Sequence, residues 1–146
     1  MDDSLSRDTG CRDSDHGCVF AKALLAGAAT CELVRRRSLA ERELLECASP
    51  VARINCSTLA ALLHERARFA LRLPAPGRPL IHVHSLKLQC GGLTALRREL
   101  AAPEPDVHRM VGIAHQKHGS LSDLPWAAIV TGLAAWQPPR RARPRP

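Results

Sequence analysis

Between residues 58 and 72, leucine or alanine stands at 59, 62, 63, 67 and 70, the spacing that gathers side chains on one side of an α-helix. Glu65, Arg68 and Arg72 fall on the opposite side, towards water. A helix of this length with one apolar stripe is marginal alone, so the stripe must be covered by other elements. Aromatic residues are scarce, with two Phe, two Trp and no Tyr. The covering surface must therefore come from Leu, Ala, Val and Ile. At 146 residues the chain is long enough for a single core, and its Leu, Ala, Arg and Glu are strong helix formers.

The remaining segments extend this pattern. Residues 17–37 read as a helix with Phe20, Ala23, Leu24, Cys31 and Val34 on one stripe, and Gly27 on the same stripe. Ser38 and Glu41 form a capping-box pair, predicting a helix over 39–48 that stops at Ser49-Pro50. The 74–79 stretch PAPGRP reads as a rigid turn. LIHVHSLKL at 80–88 alternates as a strand does, and would need residues 69–73 or another subunit to pair with. Gly91-Gly92 should open a short helix to Ala101, halted by Pro103 and Pro105. Asp106 then caps a helix with Val107, Met110, Val111 and Ala114 inward, closed by Gly119. Ser120 and Asp123 signal another start, with Pro125 in the first turn of a last helix reaching Trp136. The expected fold is mainly α, with about six short helices around a single core and a short β element near residues 80–88. The expected organisation is a disordered acidic arm at 1–16, one helical domain at 17–137 and a disordered basic tail at 138–146.

The opening MDDSLSRDTG has no basic-then-apolar pattern, and the apolar run at 126–136 falls short of the roughly 20 residues that span a bilayer. These features predict a soluble cytoplasmic protein without membrane association, whose thiols stay reduced. G-x-S-x-G, Walker, G-x-G-x-x-G and H-E-x-x-H motifs are all missing. Hydrolase, nucleotide-binding and dehydrogenase readings therefore have no support, and a non-enzymatic role is expected.

The six cysteines stand at 11, 18, 31, 47, 56 and 90, separated by 6, 12, 15, 8 and 33 residues. Zinc sites usually pair ligands at C-x2-4-C, so zinc is a second choice here. Dispersed thiols carried by packed helices suit an iron–sulfur cluster better. Cys47, Cys56 and Cys90 each fall near a predicted helix boundary, where unpaired N–H groups favour negative charge. The expected ligands are Cys31, Cys47, Cys56 and Cys90, with Cys18 as a substitute for Cys31. Gly91 and Gly92 would let backbone approach the cluster. Core filling is the competing reading, since free cysteine packs as a small hydrophobe. Cys90 as an activated nucleophile at a helix start is a third.

Other chemistry is weaker. His82 and His84 share a face of the expected strand, and His115 and His118 lie three apart on a helix. A solvated histidine face accounts for both pairs. The charge of +7 is uneven, with +4 in the tail PPRRARPRP and −3 in residues 1–16. The last helix, LPWAAIVTGLAAW, offers no Arg, Lys, Asn or Gln to reach a base edge, so it is not a recognition helix. Two functions follow. One is a small redox accessory protein that holds an iron–sulfur cluster and meets a redox partner, for electron transfer or redox sensing. The other is a metal-free helical interaction module that docks on an acidic partner or nucleic acid through its basic surface and Arg-rich tail.

Overall fold

The structure, a computed structural model, describes residues 16–75 and 77–139. The expected acidic arm, apart from His16, and most of the basic tail lie outside the described residues. The fold is mainly helical with one two-stranded antiparallel sheet. In chain order the elements are α1 (Ala21–Leu25), β1 (Val34–Leu39), β2 (Arg42–Cys47), α2 (Pro50–Leu71), α3 (His82–Leu86), α4 (Gly92–Leu100), α5 (Val107–His118) and α6 (Trp126–Ala135). A π-helical turn spans Lys87–Gly91 and a 3-10 turn spans Leu121–Asp123.

The helix expected at 58–72 is the C-terminal part of a longer one. Ser49 caps α2 by accepting a hydrogen bond from the Ala52 N–H at 3.2 Å. Pro50 therefore starts this helix rather than ending the one before it. Its missing N–H falls where the helix makes no bond, and its fixed φ suits the first turn. At the other end Arg72 takes a left-handed φ of 54°, and Leu73 N–H bonds back to the Arg68 carbonyl at 2.9 Å.

One expected helix is cut short and another is replaced by a strand. Only Ala21–Leu25 of the 17–37 segment is helical, and Gly27 ends it at a φ of 77°. The helix expected at 39–48 is instead strand β2, paired with β1 in the register Leu39↔Arg42 to Val34↔Cys47. Ala40 turns the hairpin at a φ of 56°. Pairing overrides the helix preference of Leu, Glu and Arg here, because β2 is held on both edges. On its free side, Cys18 N–H donates to the Leu45 carbonyl at 2.8 Å. The β element thus lies at 34–47, not at 80–88.

Residues 82–100 form one uninterrupted helix, with the π turn in its middle. Alternation in LIHVHSLKL is overridden because Leu88 and Cys90 are buried through the wider turn and Leu93, Leu96 and Leu100 through the α turns that follow. The fully buried side chains include Phe20, Leu59, Leu63, Leu93, Leu96, Leu100, Met110, Ile129 and Leu133. They come mostly from α2, α4, α5 and α6, with α4 packed closely on α6. Leucine dominates this core, as the shortage of aromatics requires.

Candidate functional site: a cysteine-lined cavity and an open helix face

Four cysteines from separate chain segments reach one small cavity. Cys18 precedes α1, Cys31 precedes β1, Cys47 ends β2 and Cys56 lies in α2. With Phe20, Val34, Arg53 and Val107 they line a space of about 20 Å³, room for a single water. Burial pushes the Cys18 and Cys31 thiols up. Cys56 is pushed up to about 12, first by burial and then by the neighbouring Cys31, Cys18 and Cys47. The Cys47 thiol donates to the Ser49 carbonyl at 3.2 Å, and the Arg53 Nε donates to the Gly17 carbonyl at 2.9 Å.

The expected metal centre is overturned. Among the described residues, no group of three or more His, Cys, Asp or Glu side chains is placed to hold a metal ion. Cys31, Cys47 and Cys56 do approach one another, and Cys18 joins them rather than replacing Cys31. Cys90 lies apart, beside Leu86, Thr94 and Trp136. Neither an iron–sulfur cluster nor zinc stands, and electron transfer or redox sensing through a cluster falls with them. The cysteines pack as small hydrophobes.

Cys90 is 1% exposed and belongs to the core. Burial raises its thiol instead of lowering it, so it is not an activated nucleophile. The glycines after it serve packing. A Cβ on Gly92 would lie 2.8 and 2.9 Å from the two Leu63 methyls, and one on Gly91 would lie 3.0 Å from the Trp136 Cβ. The space expected to cradle a cluster is filled by core side chains. His82 is exposed, within 3.3 Å of the Lys22 Nζ, and His108 pairs with Glu32 at 3.6 Å.

The described surface carries charge in two ways. Around the hairpin, Arg36 pairs with Glu43, and Arg37 pairs with Glu46 at 3.3 Å. Arg109 reaches Glu32 at 3.4 Å and Glu104 at 3.7 Å. At the end of α2 the pattern changes. Arg66, Arg68, Arg72 and Arg78 make no ion pair among the described residues. Two of these guanidinium groups lie 5.9 Å from ring centroids, Arg66 over Trp126 and Arg68 over Phe69.

Phe69 itself is 87% exposed, although phenylalanine is ordinarily buried. It belongs to a complete exposed face. Val51, Ile54, Thr58, Ala61, Glu65, Phe69 and Arg72 all fall on it, and every one is exposed. Sequence reasoning placed Glu65, Arg68 and Arg72 on the water side but missed Val51, Ile54 and Phe69. The signal was present in the spacing, since Phe69 follows Val51 by five full turns. Pro50 masked it, because a helix expected to begin at 58 does not include 51 and 54.

No family model, no curated protein and no solved structure matches this chain.

Proposed function

We propose that this chain is a metal-free helical interaction module that docks on an acidic protein partner through the cationic end of α2. The observation that carries this reading is Phe69, 87% exposed near the end of α2 and close to Arg68 and Arg72, which have no carboxylate partner among the described residues. Arg36 and Arg37 have carboxylate partners, whereas Arg35 and Arg42 on the hairpin and Arg66, Arg68, Arg72 and Arg78 in and after α2 have none among the described residues. Arginine and aromatic side chains are enriched at protein interfaces, and here the Arg68 guanidinium lies over the exposed Phe69 ring. Nucleic acid is the less favoured partner, because α6 carries no Arg, Lys, Asn or Gln to reach a base edge. Among the described residues, no helix is long and apolar enough to cross a membrane.

The test is fluorescence anisotropy of labelled polyglutamate against the protein over a range of salt. The affinity should fall as salt rises. The double variant Arg72→Glu/Arg78→Glu should bind at least about tenfold more weakly. Unchanged affinity in that variant would remove the cationic end of α2 from the interface.

A further inference from the structure

The geometry points to an antiparallel acidic amphipathic helix of a partner protein as the occupant of the open α2 face. This deepens the docking reading above and rests on it. The face has two chemically distinct halves. Val51 and Ile54, 69% and 64% exposed, make its first turns apolar, with Thr58 and Ala61 continuing a small-residue surface. Phe69 and Arg72, with Arg68 alongside, make its last turns aromatic and cationic. From Val51 to Phe69 is 18 residues, about 27 Å of helix. The seven exposed positions recur at three or four residues, the rhythm that receives the side chains of a second helix.

Charge complementarity fixes the occupant and its direction. Carboxylates belong opposite Arg68 and Arg72, and apolar side chains opposite Val51 and Ile54. Acidic residues are most stable in the first turns of a helix, where the macrodipole favours negative charge. A helix whose acidic N-terminal turns lie over Arg72 and whose apolar C-terminal turns lie over Val51 runs antiparallel to α2. Glu65, the one acidic group on the face, then lies opposite the middle of the partner, where a neutral or basic residue fits. Phe69 sits within the cationic half and supplies its apolar contact, with the Arg68 guanidinium 5.9 Å from its ring centroid.

The experiment uses the full chain and four labelled probes. One is a synthetic peptide of about twenty residues, glutamate-rich in its first turns and leucine-bearing at helical spacing in its last. The second has the same composition shuffled to destroy the periodicity, the third is polyglutamate, and the fourth is single-stranded DNA. The patterned peptide should bind at least about tenfold tighter than the shuffled one. Ile54→Glu and Phe69→Ala should each erase that advantage and leave polyglutamate binding in place. Circular dichroism checks both variants for folding, which these exposed positions should preserve. Equal binding of patterned and shuffled peptides, with polyglutamate still bound, would overturn the helix occupant and leave the docking reading standing. Failure of all three acidic probes would overturn the docking reading itself. Sedimentation showing a dimer that Ile54→Glu dissociates would assign the face to a second copy instead. Tighter binding of DNA that depends on Phe69 would assign it to nucleic acid, and either result overturns the inference.

Discussion

Gly92 has hydrogen where a side chain would meet Leu63, which is only 2% exposed and cannot swing aside. Gly92→Ala should therefore destabilise the protein by about 1–3 kcal/mol in urea denaturation, the usual range for forcing volume into a packed core. Gly112, exposed within α5, supplies the control, because a Cβ there meets nothing within 4 Å. Gly112→Ala should stabilise by about 0.5–1 kcal/mol through helix propensity alone. The thiols give a second prediction at this scale. Burial holds the Cys56 proton up to about 12 from an ordinary value of 9.0, so the folded chain keeps a proton that the unfolded chain releases. The associated stability is whole below pH 9 and is lost as pH climbs towards 12. Under reducing conditions, Cys56→Ala should flatten the alkaline fall in denaturation midpoint. A slope as steep as the parent's would show that Cys56 contributes nothing to it. The sequence marked these cysteines as special without saying why they meet. Their convergence depends on the hairpin carrying Cys47 back towards Cys18, a non-local pairing that no periodicity displays.

At the scale of the element, caps were more legible than strands. Asp106 was expected to start α5, and its carboxylate accepts the Arg109 N–H at 3.0 Å. Asp106→Ala should cost about 0.5–2 kcal/mol, readable as a lower thermal midpoint. Capping chemistry is local, so four residues revealed it at Asp106, but the Ser38 and Glu41 pair misled because the hairpin took those residues instead. The β1–β2 hairpin was illegible for the opposite reason, since RELLEC has helix-forming residues and becomes a strand only when both its edges are paired. Proline misled at residue 50, where the same residue type ends one helix or begins the next according to the cap beside it. The hairpin ion pairs are exposed and should contribute little. Glu43→Gln is expected to change stability by less than about 1 kcal/mol, and a larger loss in urea denaturation would mean that Arg36 depends on that partner.

Across the whole molecule, 15 Lys and Arg stand against 9 Asp and Glu among the described residues. Added salt should accordingly act with opposite signs on two observables. It relieves self-repulsion and raises the urea midpoint slightly, while it screens the arginines of α2 and weakens docking. Parallel movement of the two would separate binding from charge. The helical class of the molecule was legible because its apolar spacing is sustained over many residues, and the open face of α2 was not, because exposure is decided by what fails to cover a helix. The π turn at Lys87–Gly91 has its own consequence. Fitting one more residue into a turn retards the helix by about 100°, so the segments before and after it are out of phase by one position. A chain that lost a single residue here would regain an even winding and swing His82, Val83 and Ser85 round the axis relative to Leu93 and Leu96. Any honest superposition of this helix on an ordinary one must therefore open a one-residue gap between Lys87 and Gly91.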